Sequence, residues 1–456
     1  MRSKNSLSAI ISSVIVIAIV AGIGFLFVSP QFEKNKPTIE FKKDIFWNLK
    51  DTLKLTLNDD TGIKYYKIIF KNKNNEKVLM TEVLSTPLQK IDLEVKPPKM
   101  DMFFKSKEIS IVVEAVDNSK WNFFDGNRVQ ETFNIQIDTK KPVANVITNS
   151  LAIRKGGSAL AVVEVHDENL KDAYILFNKE QRFELTPFYK EGYFVSLIAW
   201  PVTIDKFSRV SLVVIDKANN ISRTKIPLFI RELKVKNDKI KISDKFIQNV
   251  SASVLEQSSQ TVPSDLSEIF IKENRELRAQ NVKALQDISL KYMSKDQIND
   301  FKIKPFRRLR GSRTAAGFAE RRHYLHNDEK IDEAWHLGLD WASVRNAPIR
   351  TYNAGKVVFN EYLGIYENTI IIDHNMGLST LYAHTSVSKV NLGDNVNYKQ
   401  IIANTGATGA VLGDHLHFGV LVQGIEVNPL EWMDKNWIKT RITNILKESK
   451  KIIDSK

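Results

Sequence analysis

The chain has 456 residues, 43% hydrophobic and 26% charged, a composition typical of globular domains and not of a disordered or fibrous chain. One hydrophobic core does not serve this length, so two to four domains are expected. The absence of cysteine excludes disulfides and thiolate-ligated metals, leaving His, Asp and Glu as metal ligands. The net charge of +13 calls for an anionic partner: nucleic acid, acidic lipid or a carboxylate-rich cell wall.

Leu7 to Val28 carries no charged residue, and at about 1.5 Å per residue it spans a bilayer core of roughly 30 Å. Arg2 and Lys4 precede it, so the positive-inside bias predicts a cytoplasmic start and an extracytoplasmic remainder. A cleavable signal peptide is the competing reading. It normally has a shorter apolar region and a small-x-small cleavage site, which Phe27-Val28-Ser29-Pro30 does not offer. Residues 1–29 are therefore expected to be a cytoplasmic start and inner-membrane anchor, with the rest of the chain on the periplasmic side and nucleic acid excluded as a partner.

Two following segments resemble each other. One runs from Lys36-Pro37 to Ile109-Ser110-Ile111-Val112-Val113-Glu114-Ala115-Val116-Asp117; the other runs from Lys141-Pro142 to Val210-Ser211-Leu212-Val213-Val214-Ile215-Asp216. Short β-branched runs between Asn, Asp, Gly and Pro turns predict two immunoglobulin-like β-sandwich modules, 30–139 and 140–231, acting as spacer or binding units. Residues 232–304 turn Lys-rich and helix-compatible, with a helix start at Ser264-Asp265-Leu266-Ser267, and are expected to form a helical connector. The basic run Arg307, Arg308, Arg310, Arg313, Arg321 and Arg322 is expected to be a solvated face. The stretch His323 to Glu333 is expected to be a flexible polar loop, and His323 and His326 within it are not expected to be ligands. His374, following Asp373 at a strand end, is expected to be structural.

The chemistry lies in the last third. Of eight histidines, five fall between 336 and 417. In Trp335-His336-Leu337-Gly338-Leu339-Asp340, strand alternation puts His336, Gly338 and Asp340 on one face, with the glycine leaving room for a metal ion. In Asp414-His415-Leu416-His417-Phe418-Gly419-Val420, His415 and His417 share one face and the apolar residues the other. Leu381-Tyr382-Ala383-His384 adds a further histidine. Catalytic zinc commonly takes three protein ligands and keeps a fourth position for water. His336, Asp340 and one histidine of the pair supply such a set, and the two remaining histidines are left for proton transfer and for steadying an oxyanion.

From about Gly311 to Trp432 the chain resembles the lysostaphin/LytM-type zinc endopeptidases, which hydrolyse peptidoglycan cross-bridges. The likeness rests on His336-x-Gly-x-Asp340, Ala354-Gly355-Lys356-Val357-Val358, Ile372-Asp373-His374, Leu381-Tyr382-Ala383-His384, Asn391-Leu392-Gly393-Asp394-Asn395-Val396, Thr405-Gly406-Ala407-Thr408-Gly409, His415-Leu416-His417-Phe418 and Asn428-Pro429-Leu430. The resemblance implies a small antiparallel β domain, here residues 305–436; residues 437–456 are expected to form a helical tail. It implies one Zn²⁺ held by His336, Asp340 and His417, catalytic roles for His384 and His415, and peptidoglycan peptide as substrate. Asp414, Gly419 and Thr385 stand where the family usually has Pro, Glu and Leu, which implies an altered groove lining and not a lost metal. The alternative is a silent member that binds or activates other wall hydrolases; such members have typically lost ligands, and all five positions are present here.

Overall fold

The computed structural model describes residues 4–42, 45–73, 75–99, 106–406 and 414–456; Arg2 and Ala407, Thr408 and Gly409 lie outside the described residues. The fold is mainly β, with one apolar helix first, helices in the middle and a β-rich domain near the end. The chain divides into two compact units, Met1–Lys141 with Ile215–Asn220, and Pro142–Val214 with Ile221–Lys456.

In the first unit the helix Lys4–Val28 includes Ala9–Val28, 20 residues that are long and apolar enough to cross a membrane. The module after it is one six-stranded sheet whose longest strands, Leu53–Asn72 and Asn75–Val95, form an extended hairpin. The register of Leu53–Asn72 breaks between Asn58 and Ile63, so the strand bends and encloses a core that includes Trp47, Leu57, Ile68, Ile111 and Ile135. Buried polar groups need partners, and Asp117 finds them in the backbone N–H and side-chain amide of Asn127, each 2.8 Å away. Asp216 at the end of the second repeat takes the same two bonds from Asn220, also 2.8 Å each.

In the second unit two four-stranded sheets form a sandwich. One contains Gln181–Glu184, Leu170–Phe177, Val210–Asp216 and Ile221–Ile226; the other contains Thr186–Pro187, Tyr193–Ala199, Ser158–His166 and Val143–Asn149. This module is fastened to the domain that follows. Gln423 exchanges side-chain bonds with the Glu184 backbone at 2.7 and 3.0 Å. Glu431 accepts from the Ser158 N–H at 2.8 Å, and the Trp432 indole donates to Ser158 Oγ at 3.1 Å. The last helix, Asn444–Ser455, returns to it, with Leu446 and Ile453 in the shared core and the Tyr189 hydroxyl on Asp454.

The connector opens with a strand, Lys236–Lys241, which pairs in parallel with Glu320–His326. Two helices follow, the second running without a break through Leu266–Ile271, Lys272–Leu277 and Arg278–Tyr292. Its start is capped by Asp265, which accepts from the Glu268 N–H at 2.9 Å and so satisfies one of the free donors of the first turn. Residues 323–333 are not a polar loop. Glu320–His326 and Glu329–His336 form an antiparallel hairpin turned at Asn327 and Asp328, whose positive φ angles of 52° and 63° suit a two-residue turn.

The site domain is an antiparallel sheet. Among the described residues its strand order is Arg313–Ala316, Leu339–Ala342, His415–Val422, Leu378–Ala383, Asn368–Asp373, Gly355–Tyr362 and Asn395–Val396, with Ile425–Val427 folding back on His415–Val422. Alternation along the strands separates two cores. Leu416, Phe418, Val420 and Val422 belong to the core shared with the β module. Ile371, Leu381, Ala383 and Leu421 face the connector helices. His415 and His417 alternate with the first set, so they lie on the connector face.

Candidate metal centre and active site

His415–Val422 is the central strand of the site and is buried along its whole length. Its register pairs His417 with Asp340 on one side and with Ala383 on the other, and Ala342 with His415. Paired residues on adjacent strands point their side chains to the same face, which brings Asp340 beside His417 and carries His384, next after Ala383, to the same spot. His336 arrives differently. It ends the strand Glu329–His336 in one sheet, and the chain changes sheet over Leu337 and Gly338 before Leu339–Ala342 begins. The single strand face expected for 336–340 is thus a corner between two sheets. The role expected of Gly338 changes with it: a Cβ there would lie 2.5 Å from His417 Nε2 and 2.8 Å from the Phe418 carbonyl, so the glycine clears space for an imidazole.

Three side-chain atoms converge. His336 Nε2 lies 3.2 Å from His417 Nδ1 and 3.0 Å from Asp340 Oδ1, and His417 Nδ1 lies 2.9 Å from the same oxygen. His336 Nδ1 sits 2.7 Å from the Gly317 carbonyl. A carbonyl only accepts, so Nδ1 carries a proton and the ring turns its Nε2 towards the carboxylate. His417 Nε2 has no hydrogen-bond partner among the described residues. Burial lowers the His417 pKa to about 4 against the opposing pull of Asp340. Burial pushes the Asp340 carboxyl up, but the two imidazoles outweigh it and hold the group well below the usual carboxylate range. Ligands 2.0–2.1 Å from a tetrahedral centre sit about 3.3 Å apart. The observed triangle is close to that, and its donor set of two imidazoles and one carboxylate suits a divalent cation.

His415 and His384 border this triangle, their rings 4.8 Å apart, with His384 6.1 Å from the His417 ring. His384 is in the left-handed region at φ 57°. The five residues singled out in the sequence therefore form one cluster, and all five are buried. His374 is apart from it: its Nδ1 donates to the Ala354 carbonyl and its Nε2 accepts from Thr380 Oγ1, both at 2.8 Å, and burial lowers its pKa to about 4. His326 is tied to Asp244 at 2.7 Å and His323 to Asn237 at 3.3 Å, away from the triangle.

Residues 334–429 match the family profile described as Peptidase family M23. The chain carries a peptidase family M23 domain. It is 33% identical over 130 residues to the DD-carboxypeptidase/endopeptidase Mpg of Neisseria meningitidis serogroup B, covering 28% of each chain. It is 36% identical over 96 residues to the peptidoglycan DD-endopeptidase ShyB of Vibrio cholerae serotype O1, covering 21% of this chain and 22% of that one. The chain thus spans under a third of the length of these curated relatives, at 28% and 22%. Among solved structures, the lysostaphin catalytic domain from Staphylococcus simulans is 26% identical with a TM-score of 0.24, covering 27% of this chain and 94% of that chain. A putative peptidase M23 from Pseudomonas aeruginosa is 17% identical with a TM-score of 0.34, covering 63% of this chain and 96% of that chain.

Two residues of the M23 site were not legible in the sequence. Arg322 belongs to the run expected to be a solvated face, yet its guanidinium turns inward and reaches Asp340 Oδ2 at 3.4 Å. Glu367 places Oε2 3.2 Å from His384 Nδ1. No spacing or alternation marks it, because it lies in a loop and not on a strand face.

Proposed function

We propose that the protein is a zinc endopeptidase that hydrolyses peptide cross-bridges of peptidoglycan, with His336, Asp340 and His417 as metal ligands. The observation that carries this reading is the convergence of three ligand atoms to within 2.9–3.2 Å of one another beside a second pair of histidines. The names of the curated relatives, endopeptidases and peptidoglycan endopeptidases, support the substrate. An ion held by His336, Asp340 and His417 would supply Lewis-acid chemistry, polarising a carbonyl and making water more acidic. His384 and His415 divide the remaining work: one imidazole takes a proton from the attacking water and passes it on to the leaving amine, and the other donates a hydrogen bond to the developing oxyanion. The apolar helix Lys4–Val28 anchors the chain in the inner membrane and keeps the M23 domain on the periplasmic side, where the wall is.

The test uses the full-length chain in detergent, purified peptidoglycan and mass spectrometry of the released fragments. His336→Ala, Asp340→Ala and His417→Ala are expected to lose both zinc and cleavage. His384→Ala and His415→Ala are expected to keep zinc and lose about 10²–10⁴ in rate. Zinc retained by Asp340→Ala, or full activity in His384→Ala, refutes the assignment. A zinc-loaded parent that releases no fragment refutes hydrolysis and leaves a wall-binding groove.

A further inference from the structure

The loop after the strand Gly355–Tyr362 holds the only carboxylate that contacts His384 among the described residues. Glu367 sits at φ 53° and ψ −141°, a combination open in practice to glycine alone, since a Cβ crowds the neighbouring peptides. A glutamate persists there because its backbone is pinned from several sides. The Leu363 N–H and Thr369 Oγ1 both donate to the Glu367 carbonyl, at 2.8 and 3.0 Å, and the Glu367 N–H donates to Gly364 at 2.9 Å. Asn281 of the connector helix accepts from the Ile365 N–H at 3.0 Å and holds the loop from outside.

The strain delivers one side chain to one place. Glu367 is buried, 5% exposed, with Oε2 3.2 Å from His384 Nδ1. His384 is itself fixed in left-handed backbone, its N–H on the Tyr366 carbonyl at 3.1 Å and its carbonyl accepting from the Gly406 N–H at 2.9 Å. Both partners of this hydrogen bond therefore occupy disfavoured backbone, and strain of that kind persists only where the surroundings impose it.

We propose that Glu367 is a positioning residue for His384: its carboxylate accepts the Nδ1–H, leaves Nε2 as the ring's accepting nitrogen, and stabilises the imidazolium formed when that nitrogen takes a proton. This rests on the hydrolytic reading of the site and adds to it a residue outside the five singled out in the sequence. Among the described residues, the ionisable groups that face the pair include Glu273 from the connector helix, Tyr362 from the preceding strand, and His415 and His417 beyond the His384 ring.

Three measurements on the full-length chain test it. Glu367→Gly relieves the backbone and is expected to melt higher than the parent while binding zinc equally. Its kcat on a soluble cross-linked muropeptide dimer is expected to fall between about 10- and 100-fold with KM within about twofold, a positioning group contributing less than the 10²–10⁴ of a proton-transfer group. Glu367→Gln, which keeps an accepting oxygen without the charge, is expected to recover part of that loss. Imidazole ¹⁵N spectra of histidine-labelled protein, with the His384 signal identified by its loss in His384→Ala, are expected to give the Nδ1–H tautomer. That third readout does not depend on cleavage, so it judges the inference even if the parent cuts nothing. A parent ring in the Nε2–H tautomer, or a Glu367→Gly enzyme within threefold of the parent kcat, overturns it.

Discussion

Gly338→Ala is the smallest perturbation that should empty the metal centre without touching a ligand. The added Cβ would sit 2.5 Å from His417 Nε2, 2.6 Å from its Cε1 and 2.8 Å from the Phe418 carbonyl oxygen. A relaxed carbon–nitrogen contact is about 3.5 Å, so the imidazole has to retreat by about 1 Å. The Phe418 carbonyl belongs to the central strand and yields little. Metal–ligand distances tolerate about 0.2 Å, and a 1 Å misplacement of reacting groups costs about 100-fold in rate. Gly338 is not among the positive-φ glycines, so backbone strain does not contribute. Competition with a chelator of known affinity, on the full-length chain, is expected to show zinc held at least about 100-fold more weakly, with wall cleavage lost in parallel. Gly419→Ala on the same strand is the control. The nearest atoms to its Cβ would be those of the Leu381 side chain, from 3.3 Å, and affinity is expected to stay within about threefold. Parental zinc affinity in Gly338→Ala would refute the reasoning.

Two further outcomes concern the support beneath the site. Burial pushes the Glu426 carboxyl up to about 7, against a bond from the Tyr366 hydroxyl at 2.6 Å that works the other way. The unfolded chain ionises this group near 4.5, so its contribution is fully present below that pH and is lost as the pH rises towards 7, by roughly 3 kcal/mol at 1.36 kcal/mol per unit. Glu426→Gln keeps an acceptor for Tyr366 and removes the titration. Melting temperatures at pH 5 and pH 8, taken in chelator, are expected to drop for the parent and to change less for the variant. Asn281→Ala removes the acceptor of the buried Ile365 N–H and is expected to cost about 1–3 kcal/mol; faster hydrogen exchange at that amide would report it, and unchanged exchange would contradict it.

The site was legible where chemistry follows the strand period. His415 and His417 alternate with Leu416 and Phe418 in the sequence as they do in the sheet, and Asp265 marked its helix through a side chain able to cap it. The corner at Leu337 and Gly338 was not legible, because five residues fit one strand face or two sheets equally well. The hairpin 320–336 carries charged residues on both faces, and Tyr324, Ile331 and Ala334, which pack against the connector core, are too few and too unevenly spaced to give the alternation that betrays a strand. Asn327-Asp328 between its arms was the available signal. Glu367 lies 17 residues from the histidine it contacts, and only the third dimension joins them.

The last helix and the bonds of Gln423, Glu431 and Trp432 give the second β module a standing that its likeness to the first does not suggest. The M23 match begins at residue 334, but the apolar face behind Phe418 is completed by the module and by Ile453, and the face around Leu381 by the connector. M23 domain and module therefore form a single cassette. Recombination that moved the matched segment alone would separate the His336, Asp340 and His417 cluster from two of the walls that keep its sheet dry, whereas an exchange joined near Pro142 would carry the cassette whole to a new N-terminal segment.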